Sequence, residues 1–492
     1  MESTRLENAA QAVIDRAKAA GASYADVRFV EETTRGLAVR KSVVSRCVQD
    51  SSFGVGVRVL VGGAWGYASA PVPMSDDGSV DVSALRQLSD LATAEASAGA
   101  RHRPHPAVLA PLAVQRGTYV SPRVEDPFSM SLEEQFDVLF EVDRELVRSP
   151  DLATTSSEMS FRREQQWQFT SDGSATQQDL LRSGAGFSLT LARDGAVQTR
   201  SYPASFGGQY LQGGFEIVRS FDLRGAVERI RDEAAALLVA EPCPGGRFDL
   251  VTRGSQLALQ IHESVGHPGE FDRVLGFEAD MAGTSFVTPE KRNQFVYGSE
   301  LVDLVADSSL DGGIGTFGWD DDGVPAQSFP VVERGIHRNW FTNREFATRV
   351  GDAASNGTNR AEGWRYPPQI RIPNLSLMWG SSTERDLIAG VDDGFLLDGV
   401  KTWSIDQMRL NFQFTCEIGW RIRNGELCEV VKNPTYQGVT PEFWRSCDGI
   451  AGREEWAPWG VPNCGKGQPM QVAEMSHGCA PARFRGVTFV GA

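Results

Sequence analysis

No uninterrupted apolar run approaches about 18 residues, so no membrane-spanning helix is expected. The chain also lacks a positive excess. Its 48 Lys and Arg stand against 64 Asp and Glu, a net charge of −16. Binders of nucleic acid and anionic membranes draw affinity from cationic surface, so neither partner is expected. The arginine-bearing string from Arg101 to Pro106 is short, is broken by proline and reads as surface loop. The seven cysteines are an odd number and form no framework, which argues for reduced thiols rather than a disulfide-stapled secreted domain. The N-terminus carries Glu2 and Glu7 and no apolar core of a signal peptide, so a cytoplasmic location is expected. With 41% hydrophobic and 23% charged residues the composition is that of an ordinary folded protein. At 492 residues the chain exceeds one simple core, and two domains are expected.

Histidine is scarce too, with six in the chain, yet two of them fall in one string, HESVGH, from His262 to His267. The string sets a carboxylate, Glu263, beside one imidazole, with a second imidazole five positions from the first. A hydrolytic zinc site needs such parts, neutral nitrogen ligands and a base beside the reacting water. The common zincin spacing is HExxH, with both imidazoles on one helical face. Four residues turn an ideal helix by about 40°, five by about 140°. For His262 and His267 to face one ion, the helix must widen by a residue or unwind, and Gly266 is the residue type that tolerates this. Ser255 reads as the N-cap of this helix. Leu257, Ala258, Ile261 and Val265 give it a buried face, and Pro268-Gly269 end it.

Elsewhere the pattern is mixed. Ser3 or Thr4 would cap a first helix ending near Gly21, and Ser131 with Glu134 spells a capping box. Residues 25–32 and 35–44 alternate like antiparallel strands, and the glycine-rich segment after Phe53 continues the sheet. Residues 71–122 read as loop. Short strands punctuated by Ser171-Asp172-Gly173 and Arg193-Asp194-Gly195 fill residues 157–207. A helix is expected over 223–240. The string Pro242 to Gly246 then marks the best boundary, dividing a domain of residues 1–241 from one of 242–492. Hairpins are expected about Arg334-Gly335 and Asn424-Gly425.

Taken in order, several segments resemble one family. They are FGVGVRVLVGGAWGYAS (Phe53 to Ser69), LLVAEPCPGGRFDLV (Leu237 to Val251), HESVGHPGEFD, GWDDDGVP (Gly318 to Pro325), SNGTNRAEGWRYP (Ser355 to Pro367) and NCGKGQP (Asn463 to Pro469). The chain resembles the TldD/PmbA family of modulators of DNA gyrase, in particular the TldD type that carries the metal motif. The resemblance implies an α+β fold of two domains, an α+β N-terminal one and a β-rich C-terminal one carrying the metal helix. It implies Zn2+ held by His262, His267 and Cys464, with Glu263 as general base, and hydrolysis of peptide bonds in peptides or unfolded polypeptide segments. It further implies a homodimer, or a heterodimer with a metal-free PmbA/TldE-type subunit.

Residue types alone leave the third ligand open among Cys464, Cys447, His477 and Cys479. The match of NCGKGQP points to Cys464. His477 and Cys479 are expected in a peripheral loop, as a solvated imidazole and a spare thiol, because a site filled wholly by protein excludes substrate. The segment holding them, MSHGCAPARFRG, departs from the family pattern. Arg360, Arg365 and Tyr366 are candidates for binding substrate carbonyls. Asp320, Asp321 and Asp322 lack calcium-loop spacing and read as a solvated turn. Trp456 and Trp459 could shape a cleft wall. Two other functions compete with peptide hydrolysis in general. One is a substrate-specific maturase or hydrolase in a natural-product pathway, marked by activity on a single substrate. The other is a non-hydrolytic, metal-stabilised subunit of a hetero-oligomer, which would not need Glu263.

Overall fold

The computed structural model describes residues 2–75, 79–103 and 105–491. In chain order the N-terminal half contains α1 (Glu2–Ala19), β1 (Tyr24–Arg40), β2 (Val43–Val61), β3 (Ala64–Pro71), α2 (Val82–Ala100), β4 (Arg116–Val120), α3 (Leu132–Leu146), β5 (Leu152–Thr170), β6 (Ala175–Arg193), β7 (Ala196–Tyr202), β8 (Gln209–Gln212), α4 (Phe215–Ser220) and α5 (Val227–Val239). One sheet runs β3-β2-β1-β5-β6-β4, and β7 and β8 also pair with β6. Helices α1 and α2 cover one end of it with Val13, Leu85 and Ala92 against Val27, Val57 and Phe169. Helices α3, α4 and α5 cover the other with Leu139, Phe215 and Ile230 against Phe161 and Leu189.

The strands are longer than their local patterns suggest. Residues 25–32 and 35–40 form one strand, because Thr33 and Thr34 between them are β-branched and favour continuation. The chain reverses instead at Lys41 and Ser42, both at positive φ. Strands β5 and β6 run 19 residues each and meet at the expected Ser171-Asp172-Gly173 turn. Residues 82–100, expected as loop, form helix α2, and the Asp81 side chain before it accepts from the N–H groups of Ser83 and Ala84. Its buried face is largely Ala, Ser and Thr, which blurs the apolar period. Gly66 lets it lie close on β3, since a Cβ there would stand 1.9 Å from the Ala92 carbonyl oxygen. Helix α1 already includes Ser3 and Thr4, so neither caps it from outside. The Ser131–Glu134 capping box forms as expected.

The second half contains β9 (Glu241–Pro242), β10 (Gly246–Thr252), α6 (Gly254–Ile261), α7 (Phe271–Val274), β11 (Leu304–Asp307), β12 (Ser328–Glu333), β13 (Ile336–His337), α8 (Arg344–Val350), β14 (Asn359–Arg360), β15 (Gln369–Ile370), β16 (Leu375–Leu377), α9 (Glu384–Ala389), β17 (Asp393–Ile405), β18 (Asn411–Arg423), β19 (Glu426–Lys432), β20 (Thr435–Val439), α10 (Thr440–Arg445), β21 (Cys447–Ile450), β22 (Ala457–Lys466), β23 (Gln471–Cys479) and β24 (Ala482–Val490). Strands β17, β10, β24, β20 and β18 pair in that order, and β18 pairs back onto β17, so the sheet closes on itself and leaves these strands without a free edge. Both expected hairpins form, with Arg334-Gly335 and Asn424-Gly425 all at positive φ, as two-residue hairpin turns require. The architecture is therefore mixed α+β and dominated by sheet.

Buried polar contacts fix the two halves against each other. The turn Asp320 to Asp322, expected to be solvated, is buried. Asp321 pairs with Arg28 on β1 and accepts from Gln166 Nε2 at 2.9 Å on β5. Asp322 accepts from Arg58 at 2.7 Å on β2. Local sequence shows the acidic run but not the arginines that the sheet brings to it. On another face Arg200 of β7 reaches Asp398 of β17 at 2.8 Å and Glu417 of β18 at 2.9 Å. Asp398 in turn accepts from Ser255 Oγ at 2.6 Å, which seats the start of α6. Ser255 is thus not the N-cap. The helix begins at Gly254, two residues earlier than that cap implies, with Arg253 in the cap position and no side-chain cap bond.

Candidate metal centre

Helix α6 buries Leu257, Ala258 and Ile261 in the C-terminal core and then changes its winding. From His262 to Gly266 it makes a π turn, in which the His267 N–H donates to the His262 carbonyl five residues back. The extra residue brings the two imidazoles to one side, their ring centroids 4.7 Å apart. Gly266 keeps an ordinary helical conformation, φ −60° and ψ −67°. Its value lies in space, since a Cβ would stand 2.8 Å from Ile372 Cδ1. Pro268 has no N–H to offer the Ser264 carbonyl four residues back, and the Tyr297 hydroxyl donates to it instead. The Trp444 indole N–H donates to Ser264 Oγ at 2.9 Å. Side chains from two distant segments thus hold the distorted turn.

The third donor comes from β22. Its pairing with β23 shifts register between Val461 and Cys464, and such an irregularity re-aims side chains. Cys464 Sγ lies 3.6 Å from His267 Nε2, and ligand atoms of His262, His267 and Cys464 all lie within 4.8 Å of one another. A tetrahedral ion with bonds of about 2.3 Å to sulfur and about 2.0 Å to nitrogen would set those two atoms roughly 3.5 Å apart. His267 Nδ1 lies 2.8 Å from Glu270 Oε2, a carboxylate that can only accept when ionised, so Nδ1 carries a proton and Nε2 is the nitrogen turned toward Cys464. Glu270 is itself held by Lys466 at 3.3 Å and Arg273 at 3.3 Å, which keep its carboxyl well below the ordinary range despite burial. Burial holds His262 below its ordinary value, in the neutral form a ligand needs.

The thiols separate cleanly. Burial pushes Cys447 up to about 12 and Cys479 higher still. Cys464 is also buried, but the His267 imidazole beside it outweighs that penalty and holds the thiol below its ordinary value. Cys447 packs in the core, and Cys479 Sγ faces the Gly254 carbonyl at 3.4 Å. Neither joins the cluster. His477 and Cys479 are not in a peripheral loop, since both are fully buried on β23. His477 Nε2 lies 2.8 Å from His262 Nδ1, and His477 Nδ1 lies 2.9 Å from the Leu375 carbonyl oxygen. Sequence reading misses this contact. The available signal is that a histidine in the small, apolar string Ser476-His477-Gly478-Cys479-Ala480 needs a buried partner.

The cluster opens on a cleft of about 250 Å³. Glu263, Trp459 and Asn463 line it from the C-terminal half, and Ser205, Phe206 and Gln209 from the N-terminal half. Gly254 makes room for Trp459, whose Nε1 would stand 2.2 Å from a Cβ there. Trp456 is elsewhere, its indole N–H donating to the Leu377 carbonyl at 2.9 Å. Arg360, Arg365 and Tyr366 do not line this cleft. Arg360 donates to the carbonyls of Glu474 and Ile372, so its fork is committed to holding β14. Arg365 is exposed and stacks on Trp364 at 4.3 Å, and the Tyr366 carbonyl accepts from Arg28 at 3.0 Å.

Residues 245–491 match the PmbA/TldA metallopeptidase C-terminal domain, and residues 25–94 match domain 1 of the same family. The chain belongs to the PmbA/TldD family. It is 25% identical to a metalloprotease of Methanocaldococcus jannaschii over 92% of this chain and 94% of that one. It is 25% identical to a metalloprotease TldD homologue of Haemophilus influenzae over 91% and 89%. It is 24% identical to a zinc metalloprotease TldD homologue of Saccharolobus solfataricus over 45% of this chain and 47% of that one. Its fold is similar to that of TldE from Thermococcus kodakarensis, with a TM-score of 0.73 and 14% identity over 98% and 100% of the two chains. Relatives named as metalloproteases and a His-His-Cys group place the PmbA/TldD chain in a metallopeptidase family. Among its described residues no helix is long and apolar enough to cross a membrane.

Proposed function

We propose that this PmbA/TldD protein hydrolyses peptide bonds with zinc held by His262, His267 and Cys464 and with Glu263 as general base. The observation that carries the reading is convergence. Two imidazoles and a thiol favoured toward thiolate meet on one cleft, with Glu263 beside them. Two nitrogens and one sulfur suit zinc and leave a coordination position for chemistry. When bound, zinc would supply Lewis acidity to the substrate carbonyl and lower the proton affinity of water. Glu263 would accept a proton from the attacking water on a carboxylate oxygen and return it to the leaving amine nitrogen. The relative from Saccharolobus solfataricus, named a zinc metalloprotease, supports the choice of metal.

The cleft suits an extended peptide. Strand β22 pairs with β23 on one edge, and its residues Trp459 to Gly465 line the cleft. Main-chain groups there can pair with a peptide backbone and read shape rather than side chains. Gln209 steadies this strand from the other half, its Oε1 accepting from the Gly460 N–H at 2.9 Å and its Nε2 donating to the Pro458 carbonyl at 2.7 Å. The fold likeness to TldE supports assembly with a second subunit of this family, as a homodimer or heterodimer. The test is zinc content and cleavage of an unfolded polypeptide, measured on the wild type and Glu263→Gln, each with and without a co-encoded TldE-type subunit. Expected are one zinc per chain in both and cleavage by the wild type alone. Equal cleavage by Glu263→Gln would remove that residue from the chemistry.

A further inference from the structure

We infer that His477 is a positioning residue for the metal centre, the second link of a relay that fixes the tautomer of His262. The inference rests on the proposed metal site and goes beyond its three ligands. The relay runs His262 Nδ1 to His477 Nε2 at 2.8 Å, and His477 Nδ1 to the Leu375 oxygen at 2.9 Å. Its direction follows from the far end. A carbonyl oxygen only accepts, so His477 Nδ1 carries a proton. Among the described residues no carboxylate pairs with His477, so the ring holds one proton and its Nε2 is an acceptor. His262 Nδ1 is then the donor, which leaves His262 Nε2 bare and available as a ligand.

The same task is done differently for the other imidazole. His267 is oriented by the Glu270 carboxylate, an anion. His262 is oriented by a neutral ring anchored on backbone. The rings of His262 and His477 meet edge-on at 5.0 Å, so His477 also limits rotation of His262. Strand β23 is therefore more than the partner that carries β22. Residues 477 and 464 lie on two paired strands, so one hairpin delivers a ligand to the ion and a brace to another ligand.

Replacing His477 removes the acceptor and lets His262 place its proton on either nitrogen. Loss of such an outer hydrogen bond typically weakens metal binding about 10–100-fold. The experiment compares wild type, His477→Ala and His477→Gln. Zinc affinity is measured by chelator competition, and the Co2+-loaded absorption spectrum reports ligand geometry. Gln can put an amide oxygen near the lost Nε2. Expected are a 10–100-fold loss of affinity and an altered cobalt spectrum in His477→Ala, with most of both restored in His477→Gln. Nitrogen-15 spectra of the metal-free wild type should show His262 protonated on Nδ1. Wild-type affinity in a folded His477→Ala, or His262 protonated on Nε2, would overturn the relay. Equal losses in both variants, tracking a fall in melting temperature, would reduce His477 to packing. Wild-type protein that binds no metal would instead sink the peptidase reading, and the nitrogen spectrum would still decide the relay.

Discussion

Two short polar strings, HESVGH and WDDDG, both end up buried in this molecule, and they have opposite uses. In the first, hydrogen bonds to Glu270 and His477 occupy Nδ1 of each ring, and His267 Nε2 faces Cys464 in the cluster that the two rings form with it. In the second, every carboxylate oxygen already has a protein donor. Asp320 accepts from the N–H groups of Asp322, Val324 and Asn359. Asp321 is held by Arg28, Gln166 and the Ala361 N–H, and Asp322 by Arg58, Asn359 and the Arg344 N–H. Three adjacent acids look more like a cation site than two histidines five apart. What separates the two is whether lone pairs are left over and whether they converge.

The largest expected effect tests convergence. Cys464→Ala should lose bound zinc and with it peptide cleavage, while Cys479→Ala should keep both. Metal analysis of the two purified variants decides it, and zinc retained at full occupancy in Cys464→Ala would move the third ligand elsewhere. The next effect tests saturation. Asp321→Ala leaves Arg28 buried without its acid, and breaking a buried pair in this way costs about 3–5 kcal/mol. Zinc per folded chain should not change. Denaturant unfolding measures the first quantity, and an Asp321→Ala protein as stable as wild type would show that the two halves do not depend on this clamp.

Much of the metal turn is legible in sequence because the arithmetic is local. A five-residue spacing cannot face one ion from a regular α-helix, and His262 to Gly266 is a π turn. The hairpins at Arg334-Gly335 and Asn424-Gly425 are legible for the same reason, since dihedral demands sit in two residues. Cys464 is distant in sequence, and only a segment resemblance picks it from the other thiols. The structural reason is a register shift in β22, which no single-chain pattern displays. His477 and the acidic turn are misread because burial is decided by elements hundreds of residues away. Helix α2 is missed because Ala92, Thr93 and Ala96 bury a face without looking apolar.

His337 sharpens the comparison with the smallest effect at neutral pH. It is buried, and among the described residues neither ring nitrogen has a hydrogen-bond partner, so it has lone-pair capacity to spare, as His262 does. Its neighbours, however, are the rings of Trp340 at 4.6 Å and Tyr297 at 6.4 Å, and among the described residues no second ligand type converges on it. Burial first, and then nearby Arg292 and Lys291, hold its pKa down to about 3 against an ordinary 6.5. The folded state thus favours the neutral ring, while the unfolded chain takes up a proton below 6.5. This contribution to stability is present above about pH 6.5 and is lost as pH falls toward about 3, with a limiting slope of about 1.4 kcal/mol per unit. His337→Leu should remove that slope without changing zinc content. Near neutral pH it should be neutral or slightly stabilising, because it deletes two unsatisfied polar atoms. Unfolding free energies of both proteins across pH 7 to 4 provide the measurement. Curves that diverge on acidification, in favour of the variant, would mark His337 as a buried base that is solitary and therefore not a site. Parallel curves would mean that it titrates alike in both states, and spare lone pairs in the core would then have to be explained by water rather than by isolation.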